Sequence, residues 1–386
     1  MSEIKVNSIK GVGASTAAIT VDNTAGTCTA NISSVNGGQL SNRRLNINGG
    51  MTVAQRGTVT GITSSQYAGP DRFRFGLASH GTFTVSQDTS VPTGSGFSNS
   101  LKLACTTADT SVAASAKGYF QHKFEGQDCQ LIRKGTSSAK QLAVQFWVKS
   151  NKTGNYAFQL KDEDNIRSFT ETYTISSADT WEQKKITIPA DTTGVLGNDN
   201  NASLTFTFWL VAGTDSTSGS ASTSWYGNVA ANLAVGHNVN IADSTSNTWY
   251  MTGFQVETGS VHTDFEHRSY ADEIRLCRRY FCKYVGALNI NFVNEHPNNT
   301  AGYLHFPFYE EMRASPTITL GNSVNIARPQ VSVSQKVQSV ADISPNCFNV
   351  IGWSGQGSLG STGDAYYRMS LSEGDANSTI SCNAEL

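Results

Sequence analysis

The chain has 386 residues, only 15% of them charged, with 28 basic against 30 acidic side chains and a formal net charge of -2. That length can bury more than one core, while the near-neutral balance supplies no electrostatic footprint for nucleic acid. No run approaches the roughly 18 apolar residues of a membrane-spanning helix, so membrane insertion is not expected.

Ordinary soluble domains carry about 25% charged residues. Here Ser, Thr, Asn and Gly fill the gap, the composition of many short strands joined by polar turns. The expected class is therefore all-β. The opening residues, Met1-Ser-Glu-Ile-Lys-Val-Asn7, have no apolar leader segment, so export by a signal peptide is not expected. Seven scattered cysteines, an odd number, do not form a disulfide framework and read as reduced, buried, small apolar residues.

Residues 1–44 alternate weakly around Ile4–Val6 and Ala18–Val21 and lack the large apolar side chains needed to close a core. Such a piece is either a disordered leader or a β-rich arm that borrows burial from its neighbours. The stretch "LNINGGMTVAQRGT", residues 45–58, breaks a short alternation at Gly49-Gly50 and reads as a seam.

From 57 to 268 the strand signal is strong. In "QLAVQFWVKS" Leu142, Val144, Phe146 and Val148 share one face, and Gln141, Gln145 and Lys149 the other. "SLTFTFWLVAG", "TWEQKKITIPA" and "TWYMTGFQVETG" repeat the period of two. Long alternating strands separated by Gly/Ser/Asn turns imply two sheets packed face to face, a jelly-roll β-sandwich.

Three features on these strands are candidates for chemistry. "KDEDN", 161–165, clusters Asp162, Glu163 and Asp164, which could offer oxygens to Ca²⁺ or form a solvated hairpin tip. Trp225-Tyr226 lies in a long Gly/Ser-flanked loop, where flat rings stack on sugar faces. These two are the candidate glycan-binding residues. Trp181, Trp209, Trp249 and Trp353 read as core or inter-subunit packing. His262, Asp264 and Glu266 of "SVHTDFEHRS" fall on one side of an extended segment, and read as a polar strand end more than as metal ligands.

"SYADEIRLCRRYFCKY", 269–284, changes period and predicts one short helix, with Ser269 as its cap and a stripe of Ile274, Cys277 and Phe281. Residues 285–386 return to alternation and predict a second, smaller β-sandwich. The expected units are thus a β-rich N-terminal arm (1–56), the jelly roll (57–268), the connecting helix (269–284) and the smaller sandwich (285–386).

Three ordered stretches, the 45–58 seam followed by Asp71-Arg72-Phe73, then "FQVETGSVHTDFEHRSYADEIRLCRRYF", then "HFPFYEEMRASPTITL", together resemble phage tail-fibre or appendage-type virion structural proteins of marine and cyanobacterial viruses. The resemblance spans roughly 45–320. It implies a homotrimer in a virion assembled in the host cytoplasm, residues 1–56 docking to other tail or capsid proteins and the distal sandwiches contacting a host-surface glycan. An adaptor or decoration protein without a receptor role is the first alternative, and a capsule-degrading tailspike the second.

No catalytic residue is expected. Neither a Gly-x-Ser-x-Gly elbow, nor His-Glu-x-x-His, nor a phosphate-cradling Gly loop occurs, and no carboxylate pair is marked out for glycoside hydrolysis. No metal site and no cofactor is expected either.

Overall fold

The structure, a computed structural model, describes residues 8–9, 19–22, 24, 27–30, 43–285, 288–294, 301–321, 325–327, 334–354, 365–371 and 379–386. The protein is all-β, 42% strand and 8% helix. A jelly-roll sandwich is built from a six-stranded and a seven-stranded antiparallel sheet. The six-stranded sheet runs, edge to edge, Glu182–Ile188, Leu142–Ser150, Thr248–Thr258, Ser100–Thr107, Thr82–Asp88 and Val59–Ile62. Strands Arg167–Ile175, Gly154–Asp162, Ala202–Ala212 and Lys117–Glu125 form the middle of the seven-stranded sheet.

The period of two places the core as the sequence predicts. Leu142, Val144, Phe146 and Val148 are all buried on one face of their strand, as are Leu204, Phe206, Phe208 and Leu210 on theirs. Aromatic rings close the space between the sheets: Phe120 stacks on Trp249 at 5.7 Å, while Phe75 meets Phe83 at 5.3 Å and Phe208 meets Phe254 at 5.3 Å, both edge to face. Offset and edge contacts of this kind add to the area each ring removes from water.

The 45–58 seam is sewn into the jelly roll by backbone-mimicking side chains. The Asn46 amide donates to Phe254 O at 2.7 Å and accepts from Val256 N at 2.9 Å. Asn48 donates to Val53 O and Asp71 O, at 2.8 and 2.9 Å. Gly49 has to be glycine, because a Cβ there would stand 1.9 Å from Phe254 O. Residues 45–49 therefore lie along the strand Thr248–Thr258. The described parts of the first 42 residues include a small antiparallel sheet of Ser8–Ile9, Ile19–Asp22 and Thr27–Ala30.

The helix is shorter than the sequence pattern predicts. It occupies Tyr270–Arg278, capped by the Ser269 hydroxyl accepting from Asp272 N at 3.1 Å. Phe281–Tyr284 is instead a strand, paired with Ile380–Asn383. Tertiary pairing overrides the helical period there, because the buried, strand-favouring Phe281, Cys282 and Tyr284 find a backbone partner in the C-terminal strand. That strand also pairs with Thr317–Leu320, and the resulting sheet packs on a six-stranded one through Tyr284 and Phe306, whose rings are 4.8 Å apart. This is the second, smaller sandwich.

Buried ion pairs close the junctions. Glu273 receives the Arg44 guanidinium and the Asn48 backbone N–H. Glu385 receives Arg72, whose guanidinium lies 3.3 Å from the centre of the Tyr280 ring. Arg279 clasps Glu125 with two bonds of 2.9 and 2.8 Å. Among the described residues, Cys105, Cys129, Cys277, Cys282 and Cys382 are buried and Cys347 is half-buried, all without disulfides; the side chains of Cys28 and Trp353 lie outside the described residues. No helix among the described residues is long and apolar enough to cross a membrane.

His237 gives the sandwich a defined acid sensitivity. Its Nδ1 accepts from Ala157 N at 3.2 Å and its Nε2 lies 2.7 Å from Val239 O, an arrangement that suits the neutral ring. Burial pushes its pKa down to about 4. A lowered folded-state pKa means that the unfolded chain binds the extra proton first. Stability is therefore lost as pH falls from about 6.5 through 4, by on the order of 3 kcal/mol. Denaturant unfolding at pH 7 and pH 4.5 should show this loss, and His237→Gln should lose less over the same interval even though it starts less stable.

Candidate functional site

The outward face of the six-stranded sheet carries a band of aromatic side chains. Lys149, Tyr250 and Lys102 are direct cross-strand neighbours on three adjacent strands. Trp181, just before the edge strand, stands 6.2 Å from Tyr250, ring centre to ring centre. Both rings are half-buried, and lysines flank them: Lys149 Nζ, between the two, lies 4.3 Å from the Tyr250 ring and 5.5 Å from the Trp181 ring, and Lys102 Nζ, beyond Tyr250, lies 5.4 Å from it.

The band continues along the sheet through a β-bulge. Gln145 pairs with Gln255 but Trp147 pairs with Thr252, so Gly253 and Phe254 oppose Phe146 alone. Gly253 adopts φ +64°, and a Cβ on it would lie 2.6 Å from Phe97 and 3.1 Å from Trp147. This glycine therefore serves two ends. It takes the left-handed conformation the bulge needs, and it lets two half-buried rings close over the backbone. Phe97 then meets Phe265 edge to face at 4.8 Å, and Arg44 sits 4.9 Å over Phe265. A groove of about 110 Å³ opens here between Arg44, Thr52, Phe97, Phe265 and His267.

The other end of the same face is closed. Gln145 donates to Thr263 O, and Glu257 accepts from Thr263 N at 2.8 Å. Gln255 accepts from Glu266 N at 2.8 Å. These outward amides are spent on the 259–266 segment, so the aromatic band is the part of the face left for a ligand.

The residues singled out by sequence fall elsewhere. Trp225 is half-buried against the core, its indole N–H donating to Pro189 O at 2.8 Å, with Lys134 Nζ 5.1 Å from its ring. Tyr226 bonds Thr170 Oγ1 at 2.6 Å and Asn232 O at 3.0 Å, and lines a groove of about 150 Å³ with Glu171, Thr172 and Ser222. Trp209 and Trp249 are buried. Trp147, Tyr250, Phe97 and Phe265 were missed. For Trp147 and Tyr250 the signal was available, since both occupy the outward register of strands whose alternate residues form the core.

The carboxylate cluster is occupied by a lysine. Lys134 Nζ lies 2.5 Å from Asp162, 3.0 Å from Asp191, 2.7 Å from Thr193 O and 3.1 Å from Gly194 O. Carboxylates and backbone carbonyls are the kinds of oxygen a Ca²⁺ takes, and here an ammonium sits among four of them. Asp164 accepts from Gly197 N at 2.8 Å, and Glu163 bonds Lys161 and Thr205. His262 Nε2 lies 3.2 Å from Ile186 O, Asp264 is exposed and Glu266 accepts from Arg43 N and Arg44 N, so these three do not converge. No group of three or more His, Cys, Asp or Glu suited to a metal occurs among the described residues.

Burial pushes the Asp71 carboxyl up to about 6, against the pull of Arg56. Its oxygens accept from the Gln55 backbone at 3.0 Å and side chain at 2.6 Å, inside the seam and away from both grooves.

No protein-family model and no curated protein matches this sequence. Solved structures with a similar fold include the enzymatically active domain of tailspike protein 4 of bacteriophage CBA120, at 10% identity and TM-score 0.29, covering 52% of this chain and 21% of that one. A putative sugar-binding protein of Bacteroides thetaiotaomicron matches at 9% identity and TM-score 0.31, over 56% of this chain and 100% of its own. The family 11 carbohydrate-binding module of a Clostridium thermocellum cellulosomal cellulase matches at 9% and 0.26, over 55% and 99%. Likeness at this level rests on the two-sheet architecture and assigns no ligand.

Lys134 supplies a direct test of the oxygen cage. Replacing it with Met leaves Asp162 buried without a cation, which costs about 3–5 kcal/mol. Urea unfolding of Lys134→Met should show that loss, and the unsubstituted protein should melt at one temperature whether Ca²⁺ or a chelator is present.

Proposed function

We propose that the chain is a non-enzymatic subunit of a phage virion appendage, which holds a host-surface glycan on the aromatic outer face of its six-stranded sheet. One observation carries the binding part: Trp181, Tyr250, Trp147 and Phe97 form a half-buried band over the outer face of the sheet, two of them closing over the Gly253 bulge. Flat rings fixed by a sheet offer apolar area to the CH-rich faces of sugars with little side-chain entropy left to lose. Trp147 and Tyr250 stand on strands, which hold a site more precisely than loops do, and Trp181 and Phe97 pack beside them from flanking segments.

The virion part is supported by the ordered resemblance of residues 45–320 to appendage proteins, and by surfaces low in charge that suit packing between copies. The homotrimer, the docking of residues 1–56 to other tail or capsid proteins, and the place in the particle belong to the same reading. Binding without turnover is supported by the state of the buried carboxylates: Glu125, Glu257, Glu273 and Glu385 are each tied to an arginine, and Asp162 to a lysine.

A second contact at Trp225 and Tyr226 is favoured by the groove beside Tyr226. Retention of the full chain on host cells or their surface polysaccharide separates the two sites. Trp181→Ala with Trp147→Ala should weaken retention at least tenfold and Trp225→Ala with Tyr226→Ala should leave it unchanged; the opposite pattern moves the site to the loop. The same preparations should have a solution mass three times the 41.4 kDa of the chain, and should release no reducing ends from the polysaccharide.

A further inference from the structure

We propose that the polysaccharide held on this face is acidic, its sugars bearing carboxylate or another fixed anion; the inference rests on the glycan reading above and narrows it. The aromatic rings alone would accept a neutral chain, since stacking depends on CH groups that all pyranoses present. What distinguishes this face is the row of groups that starts at the residue before the edge strand and crosses three strands: Trp181, Lys149, Tyr250, Lys102.

The two ammoniums are not equivalent. Lys102 is held by Asp88 at 3.1 Å. Lys149 has no carboxylate within 4 Å among the described residues; its hydrogen bond, 2.7 Å long, goes to the neutral hydroxyl of Ser90. It is also the lysine placed between the two rings, near both Tyr250 and Trp181. An ammonium set by two aromatic rings and one hydroxyl is oriented before a ligand arrives, so little of its freedom remains to be lost on binding. It retains a donor for an incoming anion, and the carboxylate that acts on it at longer range, Asp88, is already paired with Lys102. Lys185, exposed on the edge strand opposite Gln145, stands two same-face steps along the sheet from this row and adds a further positive charge to the face. A sugar stacked on Trp181 or Tyr250 would bring a ring substituent within reach of Lys149 Nζ. An anionic substituent gains a charge-assisted bond there, whereas a neutral one leaves the lysine in competition with water.

The test uses the full chain and two sets of immobilised polymers: alginate, polygalacturonate and hyaluronate as acidic probes, and methyl-esterified polygalacturonate, mixed-linkage β-glucan and dextran as neutral ones. The proposal expects retention on at least one acidic polymer, at least tenfold stronger than on any neutral one, and falling at least tenfold between 20 and 300 mM NaCl as screening grows. Lys149→Met should remove most of that preference, and Lys149→Arg should restore it, with melting temperatures confirming that both variants fold. Equal or tighter retention on a neutral polymer, or an acidic preference untouched by Lys149→Met, overturns the acidic assignment and leaves glycan binding standing. Retention on none of the six overturns both.

Discussion

Buried carboxylate–cation pairing is the constraint on which the arrangement of this protein depends. A carboxylate or guanidinium taken out of water costs several kcal/mol unless an opposite charge and further hydrogen bonds meet it. The chain is poor in charge, yet it places such pairs at its junctions: Arg44 with Glu273 where the seam meets the helix, Glu125 with Arg279 where the helix meets the jelly roll, and Arg72 with Glu385 where the C-terminal tail returns. Each pair joins segments more than 150 residues apart in sequence. A wrong docking of any of these pieces would bury an unmatched charge, so the pairs select one arrangement even where their net contribution to stability is small.

Hydrogen-bonding side chains do comparable work along the seam. Asn46 and Asn48 imitate a strand edge against Phe254, Val256 and Val53, which lets an irregular segment lie along a buried strand without orphaned backbone groups. The same strand carries the Gly253 bulge: its inner residues fill the core, its backbone anchors the seam, and its outward residues present Tyr250 and the cleft shared by Phe97 and Trp147. Anchoring and display are thus combined in Thr248–Thr258, a long strand that is buried along most of its length.

Reading the residues in order captured the alternating strands because a half-buried strand has a period of two that a single chain displays. It captured the Ser269 cap because that hydrogen bond is local. It carried the helix on to Tyr284 because the Cys277–Phe281 spacing suits a helix, while the competing partner, Ile380–Asn383, lies about a hundred residues away. Trp225 and Tyr226 stand out in the sequence because loops often present ligands, whereas Trp147 and Tyr250 are marked only by register, through Phe146, Val148, Trp249 and Met251 facing inward.

By itself, then, the amino-acid order determined the all-β class, the two faces of each long strand, the low charge and the helix start, since each depends on period, composition or contacts within a few residues. Only the tertiary structure decided that Lys134 fills the oxygen cage around Asp162, that the bulge at Gly253 gathers Phe97 and Trp147, and that Trp181, Lys149, Tyr250 and Lys102 form one row. Those are meetings of residues brought together by sheet register, and register is set by pairing across the whole sandwich, which no local window of sequence contains.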